Sequence, residues 1–282
     1  MFRKISLSDK PWIDRCRLSG ENDMTVLSFP AVYTWQDAFG LSIDGRETFY
    51  VIKSEEDQGF YYPVGESSCC REYILSLMDS DAHVKLVYVP EAELSWLESL
   101  GFDITCNPDT SEYIYSSRSL ALLDNGAGTN FRVKVRHFSR DNVWNAKELS
   151  FPDDTALLRE KVSEWDRVSG QILPEDRSAV LACAREPAQI GLSGIFIETD
   201  QKEWSFLLGY ESTPLIYNMS IVKYSEAMSR NAVPVCICEM AKRVCGTFPL
   251  INLEDDMGIE GLRNMKRLYH PLRLLNSYNA YR

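Results

Sequence analysis

Apolar and polar positions change their period several times along this chain, and each change predicts an element. Glu47–Lys53 (ETFYVIK) and Phe60–Val64 are short runs rich in β-branched and aromatic residues, which predict strands joined by a charged turn at Ser54–Gly59. Ser67–Asp81 shifts to a helical period, with Tyr73, Ile74, Leu77 and Met78 forming one stripe. Val84–Val89 (VKLVYV) predicts a strand, Pro90 opens a second helix and Gly101 ends it. Tyr113–Tyr115 predicts a short strand. Further on, Phe131–Glu148, Asp154–Val168 and Pro174–Arg185 predict helices, and Gly194–Glu198, Trp204–Tyr210 and Leu215–Val222 predict strands. A helix starting near Pro234 runs to about Val244, followed by a strand at Pro249–Leu253 and a helix at Gly258–Tyr269. A last strand falls within Leu272–Tyr281.

Strands alternating with helices of this length predict an α/β (α+β) protein with mixed sheets. At 282 residues the chain is long enough for two domains. Asp124–Asn130 (DNGAGTN) is dense in turn residues and predicts the boundary, giving domains at 1–125 and 126–282. Charge changes at the same place. Residues 1–130 carry 21 Asp and Glu against 10 Lys and Arg, while residues 131–282 carry 20 of each, so the formal net charge of −11 lies in the first half. Such an acidic half is poor material for contacting phosphate backbones, which argues against DNA as a partner. No run approaches the roughly 20 apolar residues of a membrane span, and Met1-Phe2-Arg3-Lys4 leads into polar sequence, so a cytoplasmic protein is expected. The eight cysteines show no C-x-x-C pair and there are three histidines, so no metal site is expected. Cys236 and Cys238, near a helix start, are the thiols placed for a lowered pKa; free buried thiols are the plainer expectation. Gly126-x-Gly128 lacks the third glycine of a nucleotide fingerprint and is expected to be a turn.

Candidate chemistry concentrates near the C-terminus. Glu254, Asp255 and Asp256 precede a predicted helix on which Arg263 and Lys266 are three apart and share a face. Acidic residues at a helix start and basic ones near its end suit the free N–H groups and the dipole. The same set also suits chemistry: a carboxylate that accepts a proton from an attacking amine or hydroxyl, and a cation that anchors an anionic group. Tyr269 and His270 precede Pro271, where the chain leaves the helix, and His270, like His137, is a candidate acid or base by residue type, although a lone histidine at a helix end is more often structural. Arg263 to Arg282 holds five basic residues and no acidic one, and Phe131–Lys147 is basic apart from Asp141. If these stretches meet, they form a positive patch for an anionic ligand. No G-x-S-x-G elbow is present, so direct transfer is expected rather than a covalent serine intermediate.

The run from Ile251 to Pro271 resembles the pattern N-x-E-x-D-x-G-x-x-G-L-R-x-x-K-x-x-Y-x-P, with Asn252, Glu254, Asp256, Gly258, Gly261, Leu262, Arg263, Lys266, Tyr269 and Pro271 at its fixed positions. This pattern belongs to a bacterial family similar to the C-terminal domain of phosphatidylglycerol lysyltransferases. Ser28-Phe29 with Trp35, Tyr61–Gly65, Glu112–Tyr115 and Arg136–Asn142 extend the likeness along nearly the whole chain. The resemblance implies tandem acetyltransferase-like (GNAT) domains, a transfer of acyl or aminoacyl groups to an amine or hydroxyl, and acyl-CoA or aminoacyl-tRNA as donor. An anionic small molecule or aminoacyl-tRNA is the implied partner. It implies catalytic roles within Glu254, Asp255, Asp256 and His270, and substrate contacts from Arg263, Lys266, Tyr269, Arg140 and Asn142. Two departures weigh the other way. Ser220–Tyr224 stands where relatives carry a His-x-Glu-Lys-Ala-like segment, and Asn231-Ala232-Val233 stands where they begin a helix with Gly-Ala-Tyr. An acyl-CoA site relies on a glycine-rich turn at a helix N-terminus, so these departures favour a non-catalytic binding protein that keeps the fold.

Overall fold

A computed structural model describes residues 1–20, 22–80, 83–168 and 174–282. The chain builds two compact units. Met1–Ser111, Pro174–Ala179 and Leu275–Arg282 form the first, and Glu112–Leu173 with Val180–Leu274 form the second.

In the first unit, α1 (Lys10–Ser19) begins with Pro11 in its first turn, and α2 (Phe29–Phe39) is capped by Ser28, whose hydroxyl accepts from the Ala31 amide at 3.4 Å. Gly40 ends α2 in the left-handed conformation at φ 58°. There follow β1 (Leu41–Arg46), β2 (Phe49–Ser54), β3 (Gly59–Tyr61), β4 (Val64–Gly65), α3 (Ser67–Ser80), β5 (Lys85–Val89), α4 (Leu94–Ser99) and β6 (Asp103–Ser116). Asp81, the predicted end of α3, lies outside the described residues. β1 and β2 are antiparallel, and β3 pairs antiparallel with β2 but parallel with β5, with α3 as the crossover. Ile13, Leu27, Phe29, Val32, Ile43, Tyr50 and Ile52 are buried on one face of this sheet. Ile74, Leu86, Val89 and Leu97 form a second apolar cluster.

The second unit takes up the last residues of β6 and continues through α5 (Ser117–Leu122), α6 (Thr129–Asp141), β7 (Trp144–Leu149), α7 (Thr155–Val168), α8 (Pro174–Arg185, whose first half is grouped with the first unit) and α9 (Pro187–Ile190). β8 (Ser193–Thr199), β9 (Trp204–Thr213) and β10 (Ile216–Tyr224) form an antiparallel meander with β7. α10 (Ala232–Val244) crosses over to β11 (Leu250–Asn252), which runs parallel to β10 and antiparallel to the end of β6. α11 (Glu260–Leu268) and β12 (Arg273–Tyr281) complete the chain, and most of β12 returns to the first unit, where it pairs with β5. α10 supplies the centre of this unit's core, with Ala232, Val235, Cys236, Ile237, Met240 and Ala241 buried among Phe131, Phe138, Ile195, Leu207 and Ile251.

Three expectations differ from the structure. The helix expected over Phe131–Glu148 ends at Asp141, where the Asn142 amide and side chain both donate to the Phe138 carbonyl, at 3.1 and 2.9 Å; Trp144–Leu149 then becomes β7, paired in register with β8. Tyr113–Tyr115 is the buried end of the much longer β6, whose first part is polar, mostly exposed and interrupted by Pro108, so it lacks an alternating pattern. The stretch Asp124–Asn130 lies inside the second unit, as a turn of 3-10 helix leading into α6, and the chain passes between units within β6 at Ser111–Glu112.

Candidate active site

The parallel pairing of β10 with β11 sets Asn218 beside Asn252, and the antiparallel pairing of β6 with β11 sets Ile114 beside Asn252. Three strand ends therefore converge just before the acidic turn Glu254–Asp256. Asn252 is fully buried; its Nδ2 donates to Glu112 Oε2 at 2.5 Å and its Oδ1 accepts from the Glu254 amide at 2.7 Å. Asn218, also fully buried, donates to Glu254 Oε1 at 2.8 Å, and its own Oδ1 has no partner. Glu254 takes φ 61°, a conformation that costs a non-glycine residue about 1–3 kcal/mol and is held here by the surrounding hydrogen bonds.

The three carboxyl groups of the turn have separate fates. Asp256 is fully buried, receives Arg263 Nε at 2.9 Å and Nη2 at 2.7 Å, and accepts the Tyr113 hydroxyl at 2.6 Å. Burial acts against its ionisation, but Arg263 and Tyr113 outweigh it and hold this carboxyl below its usual range. Glu254 goes the other way: burial pushes it up, opposed by the Asn218 hydrogen bond and the Lys266 charge. Asp255 is pushed up to about 7 by burial, with Glu254 and Glu112 adding to the effect and Lys266 opposing it. As whole residues Glu254 and Asp255 are half-buried.

Lys266 is 5% exposed and its Nζ donates to the Leu253 carbonyl at 2.6 Å and to the Asp255 carbonyl. Burial lowers its pKa, while the carboxylates of Glu254, Asp255, Asp256 and Glu112 resist that shift. Lys266 therefore ties the acidic turn to α11, and Arg263 does the same through Asp256. Both cations expected to anchor an anionic substrate are engaged within the turn itself.

The other expected residues sit elsewhere. Tyr269 is fully buried, packs edge-on against Phe131 at 4.9 Å, and its hydroxyl has no partner. His270 is exposed at φ 59°, after the end of α11. Arg140 is exposed and pairs with Asp141 at 2.7 Å, and Asn142 closes α6; they lie about 13 and about 16 Å along the α6 axis from Phe131. Cys236 and Cys238 are buried thiols pushed up by burial to about 12 and about 11, which removes them as nucleophiles. Among the described residues no cluster of three or more His, Cys, Asp or Glu is arranged to hold a metal ion.

The two basic stretches do meet. α6 and α11 pack through Phe131 and Tyr269, Lys134 Nζ lies 5.9 Å from the Tyr269 ring, and a Cβ on Gly128 would fall 2.4 Å from the Leu268 carbonyl. Arg136, His137, Arg267, His270 and Arg273 are exposed on these segments. At the start of α10, by contrast, the amides of Ala232 and Val233 are taken by the carbonyls of Ser229 and Arg230, at 2.9 and 3.3 Å, and Pro234 has no N–H. That helix N-terminus has no leading amide left for a pyrophosphate.

Sequence reasoning found Glu254, Asp255 and Asp256 but not Glu112, Tyr113, Asn218 and Asn252 as their partners. The available signal was polar residues inside otherwise apolar strand runs, since a buried polar side chain on a strand must find a partner.

Strand order, α-crossovers and mixed sheets of this kind define a tandem acetyltransferase-like fold. A tandem GNAT protein from the clavulanic acid biosynthesis pathway superposes with a TM-score of 0.51 at 9% identity, covering 100% of this chain and 98% of that one. Residues 23–281 match the family described as phosphatidylglycerol lysyltransferase, C-terminal, and the chain belongs to that family. A conserved protein of unknown function from Bacteroides thetaiotaomicron superposes with a TM-score of 0.86 at 21% identity, covering 99% of this chain and 98% of that one. The C-terminal domain of a protein described as a lysylphosphatidylglycerol synthetase from Agrobacterium fabrum does so with a TM-score of 0.70 at 12% identity, covering 98% and 92%. No curated protein matches the sequence. Among the described residues no helix is long and apolar enough to cross a membrane.

Proposed function

We propose that the second unit transfers an aminoacyl group from an aminoacyl-tRNA to an amine or hydroxyl acceptor, with Glu254 and Asp255 as the proton-handling pair. The observation that carries this reading is a pair of neighbouring carboxyl groups whose pKa values burial raises, Asp255 to about 7, beside an unpartnered Asn218 Oδ1. A base works best when its pKa is near the working pH. One of the two carboxylates takes the proton from the acceptor, which attacks the ester carbonyl. The new bond to the acceptor forms as the ester C–O bond breaks, and the same carboxylic acid returns its proton to the departing ribose hydroxyl. Asp256, Arg263 and Lys266 position the turn instead of meeting the substrate. A tRNA donor is favoured over acyl-CoA for two reasons. The start of α10 has its amides used up, and the α6–α11 surface offers exposed cations to a polyanion.

The same loss at α10 favours a second reading, a protein that binds the donor without turning it over. Single-turnover assays with aminoacyl-tRNAs and simple amine or hydroxyl acceptors decide between them. Transfer that falls about 100-fold or more in Glu254→Gln, with tRNA binding retained, supports catalysis. Saturable binding with no transfer assigns the binding role, and an unchanged rate in Glu254→Gln removes Glu254 as the base.

A further inference from the structure

The first unit holds a cavity of 270 Å³ between the β1–β2 turn and the side of α3. Arg46, Thr48 and Phe49 form one wall. Cys69, Glu72, Tyr73 and Ser76 form the other, and their spacing of i, i+3, i+4 and i+7 is one face of the helix. Both walls are fixed by contacts that leave the charged groups out. Trp12 of α1 donates to the Arg46 carbonyl at 2.7 Å, and the Glu66 amide donates to the Thr48 carbonyl at 3.1 Å. The Thr48 hydroxyl donates to Cys69 Sγ at 3.4 Å, and the Phe49 and Tyr73 rings meet at 5.4 Å, which ties the turn to the helix.

Arg46 and Glu72 are exposed and stand on opposite walls. Among the described residues neither side chain has a hydrogen bond or an ion pair, with the other or with any neighbour. Taken singly, each is an ordinary solvated charge. Together they put one cation and one anion on the two sides of a single cavity, with space between them. Phe49 is 5% exposed and Tyr73 half-buried, so the same space has an aromatic side. At 270 Å³ it is smaller than the roughly 300–1,000 Å³ of drug-sized sites, which suits a metabolite of amino-acid size. Charge narrows the choice. A ligand with only negative charge meets Glu72, and also Glu66, whose carboxylate lies 3.7 Å from Cys69 Sγ. A ligand with only positive charge meets Arg46. A zwitterion satisfies both walls.

We infer that this cavity binds a free aromatic α-amino acid, with its carboxylate on Arg46, its ammonium on Glu72 and its ring against Tyr73 and Phe49. The site is separate from the acidic turn of the second unit and does not depend on the transfer reaction.

Isothermal titration of the full chain with L-phenylalanine, phenethylamine and 3-phenylpropionate tests it. Saturable binding of L-phenylalanine is expected, and the other two compounds, which each lack one charge, should bind about tenfold more weakly or worse. Arg46→Gln and Glu72→Gln should each weaken L-phenylalanine about fivefold or more at unchanged melting temperature, because both side chains are exposed and unpaired. Binding should persist in Glu254→Gln. Any of four results overturns the assignment: no saturable binding of L-phenylalanine, either one-charge compound binding as tightly, indifference to Arg46→Gln or Glu72→Gln, or loss of binding in Glu254→Gln, which would put the amino acid at the acidic turn.

Discussion

Asp255 and Asp256 are adjacent in sequence and have opposite electrostatics. Asp256 faces a two-pronged Arg263 and the Tyr113 hydroxyl, which stabilise its charge, whereas Asp255 is half-buried, and burial with the charges of Glu254 and Glu112 pushes it up to about 7. The consequence for stability has a definite sign. A carboxyl raised on folding binds more protons in the folded than the unfolded state between its unfolded value near 4 and its folded value. The wild type therefore loses stability from this group as pH rises from about 4 to 7, and Asp255→Asn removes that loss. Urea midpoints of the two proteins measured from pH 4.5 to 8 should diverge in favour of the variant as pH rises. Parallel curves would show that Asp255 titrates normally.

At the scale of elements, α11 is held to the acidic turn by Lys266 and Arg263, and to α6 by a close backbone approach. Gly128 makes that approach possible. It takes φ 69°, and an added methyl group would collide with the Leu268 carbonyl at 2.4 Å, which is backbone and cannot rotate away. Gly128→Ala should destabilise the protein by about 2 kcal/mol or more, seen as a lower urea midpoint at unchanged slope. Gly126-x-Gly128 is thus a turn with a packing duty. The elements that were legible in the sequence are those with strong periodicity: α3, α7, α8, β8, β9, β10 and α10 fall close to their predicted spans. β7 was not legible, because its short mixed sequence, with Trp144, Ala146 and Leu149 turned inward between exposed polar residues, becomes a strand only by pairing with β8, and helical neighbours masked the change of period.

For the whole molecule, charge is the property that bears on partners. The acidic excess lies within residues 1–130, while exposed cations gather on α6 and α11 in the second unit. A polyanion bound there releases counterions as it binds, so affinity should fall steeply with salt. Replacing both Lys134 and Arg267 by alanine should weaken tRNA binding and reduce the slope of log affinity against log salt by about 1 to 2. An unchanged slope would place the polyanion elsewhere.

By itself the sequence determined the class of fold, the family likeness and the acidic turn with its basic helix, because periodicity and local motifs are short-range properties that survive in one dimension. Tertiary structure alone decided which charges are free. Arg263 and Lys266 read as substrate anchors until strand pairing and helix packing brought Asp256 and two backbone carbonyls to them. Asn218, more than thirty residues upstream, became a partner of Glu254 only through the parallel register of β10 and β11, and Glu112 became a partner of Asn252 through the antiparallel pairing of β6 and β11. Burial, which sets the pKa of each carboxyl, depends on every element packed around it, and no local stretch of sequence encodes it.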